Sequence, residues 1–232
     1  MLASMKKSLL APLGLAAMSA ALLASCGGGS SSVPPAPAPT VSTTAATVVA
    51  VLGDSVCAGY ITTTPLAYVD DPAHAWPAAV AQTTGYTVDN LCVPGYGVNQ
   101  VQQVEVAKIP PSANIIIYAC GSDDFGSGST WQTEKWALDA LLPLIHAQAP
   151  NAKMIFLGVR PWMFDDGFFT TITAFNAYLA AIPGSRYIDD ASSAEGTGFD
   201  VQSEWDQWDL HPTQAAVGKI AALVSASLTG GP

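Results

Sequence analysis

Gly53-Asp54-Ser55 directly follows the apolar run Thr47–Leu52, and His211-Pro212 lies near the end of the 232-residue chain. Between them, in order, come Gly95 and the tetrad Gly121-Ser122-Asp123-Asp124, which follows a second apolar run. A serine on a strand-to-helix turn lifts its hydroxyl above the strand end, where it can reach a carbonyl carbon. A histidine can take its proton, and N–H groups of glycine-containing turns can hold the oxyanion that forms. Residue types in this order point to acyl transfer through a serine. Such chemistry requires neither a metal nor an organic cofactor.

Those residues need a frame. Apolar runs of strand length recur at Thr47–Leu52, Tyr86–Leu91, Asn114–Ala119, Lys153–Val159 and Arg186–Ile188. They are continuous rather than alternating, as strands buried on both faces are. Helix-like segments lie between and after them, at Ala78–Thr84, Gln100–Ala107, Thr133–Gln148, Thr170–Ala181 and Thr213–Ser227. Alternation of this kind predicts a five-stranded parallel sheet with helices on both faces and the ligand site at the carboxyl ends of the strands. The Ser55, Gly95 and Gly121 turns each follow a strand, so all three are expected at one edge of the sheet.

Val49-Ala50-Val51-Leu52-Gly53-Asp54-Ser55, Asn90-Leu91-Cys92-Val93-Pro94-Gly95, Gly121-Ser122-Asp123-Asp124 and His211-Pro212 together resemble the SGNH/GDSL hydrolases. These are esterases and lipases on a flavodoxin-like three-layer α/β/α sandwich. The resemblance implies Ser55 as nucleophile and its backbone N–H as a first oxyanion donor, with a helix N-terminus behind it favouring negative charge. It implies Gly95 as a second donor, because a residue without a side chain lets the backbone come close to the oxyanion. His211 would be general base and then general acid.

Two positions depart from the family pattern. Asp123 stands where the family has an oxyanion-donating asparagine; an ionised aspartate can only accept hydrogen bonds, whereas a protonated one can donate. Trp208 stands three residues before His211, where the family has its acid; Asp209 is the expected substitute and Asp206 the alternative. A Ser–His dyad is the remaining possibility.

Only 11% of the residues are charged, and the formal net charge is -10. So acidic a surface repels phosphate backbones, which argues against nucleic acid as a partner. Residues 1–26 read as a signal segment: Lys6-Lys7, an apolar stretch from Ser8 to Ala24, and Leu23-Ala24-Ser25-Cys26, which resembles the lipobox of bacterial lipoproteins. By that resemblance Cys26 becomes the acylated N-terminus, held at the outer membrane and facing the periplasm or the cell surface. Residues 27–45 are a Gly/Ser/Pro-rich tether, and residues 46–229 the hydrolase-like domain, expected as a monomer. Cys57, Cys92 and Cys120 read as small buried thiols under the site, although an exported chain is able to oxidise a pair.

His74 and His146 are expected to be structural or solvated, and Trp131, Trp162, Phe164, Trp205 and Trp208 to be chiefly core. The expected function is therefore that of a serine esterase on lipid, lysophospholipid or acetylated-glycan esters, working through an acyl-enzyme. The rival is a degenerate domain that binds glycan or lipid without turnover.

Overall fold

Strand β1 (Val48–Gly53) is buried on both faces, with Val49 and Val51 in one hydrophobic cluster and Ala50 and Leu52 in the other. A strand sandwiched in this way must carry helices on both sides of its sheet. The computed structural model, which describes residues 46–64, 67–160, 166–189 and 211–230, has that layering. In chain order the elements are β1, α1 (Ser55–Ala58), β2 (Tyr60–Thr64), β3 (Ala67–Asp70), α2 (Trp76–Thr84), β4 (Thr87–Asn90) and α3 (Val98–Gln100). They continue with β5 (Ile115–Ala119), α4 (Ser122–Gly126), α5 (Trp131–Gln148), β6 (Lys153–Leu157), α6 (Asp166–Ala180), β7 (Arg186–Ile188) and α7 (Gln214–Thr229).

Five strands form one parallel sheet in the order β4-β1-β5-β6-β7. Counting only these strands, the order is 2-1-3-4-5, the flavodoxin-like arrangement, whose switch point lies between β1 and β5. On one face Trp76 and Val80 of α2 and Val217, Ile220 and Val224 of α7 pack against Val51 and Ile117. On the other, Leu138, Leu141 and Ile145 of α5 and Phe175 of α6 pack against Leu52, Tyr118 and Phe156. The three-layer α/β/α expectation holds, and all five expected strands are present.

Two features depart from the expectation. The helix expected over Gln100–Ala107 is α3 running into a widened π-turn (Val101–Glu105) and then a tighter turn (Val106–Lys108). The widening keeps both Val101 and Glu105 turned into the core, where each is fully buried. The second is the antiparallel pair β2/β3, which lies outside the main sheet. Only Ile61 and Thr62 of β2 are buried and β3 is exposed throughout, so these strands carry no apolar run to announce them.

Candidate active site

β1 ends at Gly53, and the backbone turns sharply there. A Cβ at Gly53 would lie 2.0 Å from the carbonyl oxygen of Ala119 and 2.7 Å from Cys57 Sγ, so no larger residue fits between β1 and the end of β5. Asp54 then caps α1, its Oδ1 accepting a hydrogen bond from the Val56 N–H at 3.1 Å. Ser55 opens the helix. Because α1 is four residues long, its dipole gives the serine little of the electrostatic help expected from a helix behind it.

His211 arrives from the opposite end of the chain, just ahead of α7. Thr62 of β2 fixes it twice, donating from its N–H to Pro212 O and from its Oγ1 to His211 O, both at 2.7 Å. Thr213 caps α7 directly after it. The imidazole Nε2 thereby lies 3.1 Å from Ser55 Oγ, within hydrogen-bond reach across 156 residues of sequence. Both residues are buried, at 4% and 5% exposure, so the pair sits in a largely dry setting. Such a contact lets the imidazole take the hydroxyl proton.

Two turns flank the serine. Gly95 follows β4 in a left-handed conformation (φ +77°), and a Cβ there would touch no protein atom. Glycine is thus required here by the backbone angle rather than by crowding from the protein. Among the described residues neither the Ser55 nor the Gly95 N–H bonds to a backbone acceptor. Asp123 lies in the first turn of α4, after β5. Its Oδ2 is buried and finds no hydrogen-bond partner among the described residues. Burial raises its carboxyl above the usual aspartate range, and the nearby His211 opposes that rise.

Asp123, itself half-buried, belongs to a cluster of carboxyls around the serine turn, of which Asp54 and Glu105 are buried and Asp124 half-buried. Asp54 is pushed up to about 7, chiefly by burial and then by the charge of Asp123. Asp124 also reaches about 7 through burial and the neighbouring Glu134, while its Oδ2 accepts from the Val98 N–H at 3.0 Å. Glu105, fully buried, accepts from the Gly53 N–H at 2.9 Å and is pushed up to about 8 by burial. Asp54, Asp124 and Glu105 therefore hold protons into the neutral range, and burial moves Asp123 in the same direction.

The model of the GDSL-like lipase/acylhydrolase family matches residues 51–217, a span that runs from β1 through His211. The chain belongs to that family. It is accordingly a serine hydrolase acting on esters. Solved structures agree on the fold. A member of the lipolytic G-D-S-L family from Veillonella parvula superposes with a TM-score of 0.63 at 16% identity, covering 80% of this chain and 98% of its own. Phospholipase A1 from Streptomyces albidoflavus gives 0.61 at 19%, covering 78% and 99%. A carbohydrate esterase family 3 protein from Talaromyces cellulolyticus gives 0.60 at 17%, covering 78% and 96%. No curated protein matches the chain by sequence.

Within this GDSL-like hydrolase the fold brings Ser55, His211, Gly95 and Asp123 to one sheet edge. Asp209, Asp206 and Cys26 lie outside the described residues, as do Trp162, Phe164, Trp205 and Trp208. His74 and His146 are exposed, and His74 Nδ1 pairs with Asp71 at 2.8 Å. The cysteine expectation needs correction. Cys57 and Cys92 are joined in a disulfide, with Cα atoms 5.9 Å apart, and among the described residues only Cys120 is a free buried thiol. The bond ties the turn carrying Ser55 to the loop carrying Gly95, two segments that are distant in sequence and adjacent only once β1 and β4 pair.

Glu105 escaped the sequence reading. Its one signal was its place on the inward face marked by Val98 and Val101, at spacings of three and four.

Proposed function

We propose that Ser55 is the nucleophile of a two-step ester hydrolysis. Its Oγ bonds to the ester carbonyl carbon while its proton passes to His211 Nε2. The tetrahedral intermediate collapses, the C–O bond to the alcohol breaks, and His211 returns the proton to the leaving oxygen. Water then repeats the sequence on the acyl-enzyme and releases the acid. The Ser55 and Gly95 N–H groups serve as oxyanion donors, with a protonated Asp123 as a third. Asp209 orients the imidazole, with Asp206 as the alternative acid. The 3.1 Å contact between His211 Nε2 and Ser55 Oγ is the observation that supports this reading most directly. Because burial favours the neutral form of Asp123, the chief argument for a domain that binds without turnover is weakened.

The substrate class is a carboxylic ester of lipid, lysophospholipid or acetylated glycan. We place the domain on a lipid anchor at Cys26, at the outer membrane and facing the periplasm or surface, and acting as a monomer. The lipobox-like Leu23-Ala24-Ser25-Cys26 motivates the anchor, and a Cys57–Cys92 disulfide suits an oxidising compartment. Labelling with a serine-reactive fluorophosphonate tests the nucleophile: the wild type labels and Ser55→Ala does not. Labelling that persists in Ser55→Ala sinks the assignment. Intact mass tests the anchor, and an unmodified N-terminus at or beyond Gly27 would exclude it.

A further inference from the structure

The pair β2/β3 adds nothing to the main sheet, yet it carries the contacts that hold His211. Its register pairs Thr62 with Tyr68 and Tyr60 with Asp70, which places Tyr60, Thr62, Tyr68 and Asp70 on one face. Thr62 on that face holds the His211 backbone. Diagonal to each other across the strands, Tyr60 and Tyr68 stack with ring centroids 4.8 Å apart and planes 23° apart. The Tyr68 ring lies 4.6 Å from the imidazole of His211 and that of Tyr60 lies 5.4 Å away, so three rings form one cluster. Tyr68 nevertheless remains 52% exposed. A large aromatic side chain that packs on a buried histidine and still shows half its surface to water is available to a ligand.

We propose that this aromatic platform is the subsite for the alcohol portion of the ester, and that the alcohol it takes is a sugar ring, making the substrate an acetylated carbohydrate. The inference rests on the reading of Ser55 and His211 given above. In that reading His211 hands a proton to the leaving oxygen, so a surface in contact with its imidazole meets the alcohol and not the acyl group. The chemistry of the surface then selects the alcohol. A long alkyl chain needs enclosing apolar walls to leave water. An open, flat ring face instead suits the C–H face of a pyranose, whose hydroxyls stay wet at the rim. Two phenols and the exposed Asp70 carboxylate on the same face offer hydrogen-bond partners to those hydroxyls. The chain's net charge of -10 works against an alcohol that carries phosphate.

The test compares acetate release from acetylated xylotriose and from ethyl acetate, using the full chain and its Tyr68→Ala, Tyr68→Trp and Tyr60→Ala variants. Tyr68→Ala is expected to raise KM for the sugar acetate about tenfold, with kcat moving less, and to lower kcat/KM on the sugar acetate about tenfold more than on ethyl acetate. Tyr68→Trp restores the preference. Calorimetric titration of acetylated xylotriose into Ser55→Ala and into Ser55→Ala/Tyr68→Ala reads the subsite without turnover, and the second protein should bind about tenfold more weakly. Equal losses on the two esters would mean that Tyr68 only supports His211, and would overturn the proposal. So would undiminished sugar binding, or a wild type that prefers lysophospholipid to the sugar acetate. The underlying reading fails differently, through ethyl acetate hydrolysis that survives Ser55→Ala.

Discussion

The two sides of the site are built from opposite materials. Behind Ser55 lie carboxyls on segments that leave the main sheet or pack beneath it: Asp54 and Glu105, both buried, and Asp123 and Asp124, half-buried. Beside His211 lie two tyrosines on a small ribbon outside the sheet, one of them half exposed. The carboxyl side holds the serine turn in place, through the cap of Asp54 on α1 and the bond from the Gly53 N–H to Glu105. It does so against the desolvation of acids that would rather be in water. The aromatic side carries little of the core. A rear wall of this kind tolerates few substitutions, whereas the exposed position Tyr68 can change while Thr62 still holds His211 beside Ser55.

That contrast can be broken most severely at the residues between the two sides. Ser55→Ala or His211→Ala should each lower kcat by about four to six orders of magnitude, and the double variant should lose little more, as expected of the nucleophile and base proposed above. Steady-state hydrolysis of a simple acetate ester measures this. Additive losses would mean that they do not work together.

The carboxyl side should respond in stability. Replacing both Cys57 and Cys92 by serine frees the Ser55 turn from the Gly95 loop and should cost about 2–4 kcal/mol in denaturant unfolding, as removal of a crosslink over a loop of this size does. Glu105→Ala leaves the buried Gly53 N–H without its acceptor and should cost about 1–3 kcal/mol.

Glu105→Gln separates charge from shape. Glu105 is raised from 4.5 to about 8, so the folded protein holds a proton that the unfolded chain releases above pH 4.5. Its contribution to stability is therefore most favourable below pH 4.5, declines as pH rises, and stops changing above about pH 8. Asp54 and Asp124, each raised to about 7, add slopes of the same sign between about pH 4 and 7. The Tm of the wild type should fall across this window, and Glu105→Gln should flatten the fall. A Tm that climbs from pH 5 to 8 would show that these groups are ionised in the fold.

The smallest effect is expected at Asp123. Asp123→Asn keeps a donor at every pH, so it should hold or raise kcat by a few-fold near neutrality and blunt any loss of activity at higher pH. Asp123→Ala should cost activity only where the native carboxyl is protonated. If Asp123→Asn abolishes turnover while the fold persists, Asp123 does not donate to the oxyanion.

Much of the rear wall was legible in the amino-acid order. Continuous apolar runs such as Val49–Leu52 and Ile115–Ala119 can lie only in a doubly covered sheet, and the residues just after them must then emerge at its carboxyl edge. Ser55, Gly95 and Asp123 follow those strands, so strand placement put them at that edge, and the resemblance to the SGNH/GDSL hydrolases singled them out. His211 was legible through its motif, Leu210-His211-Pro212, ahead of a helical segment.

What tertiary structure decided was pairing between side chains on distant segments. Glu105 looked like one more polar residue on a helix until the π-turn aimed it at Gly53. Cys57 and Cys92 became partners because β1 and β4 are neighbours, which no count of cysteines predicts. Tyr60 and Tyr68 stand eight residues apart in a mixed polar stretch, and only the β2/β3 register stacks them and carries them to a histidine near the other end of the chain. Burial pattern is written locally in sequence because each strand or helix must present its own apolar face. Contacts between polar and aromatic side chains on different elements depend on how the packed elements meet, and that geometry exists only in the folded molecule.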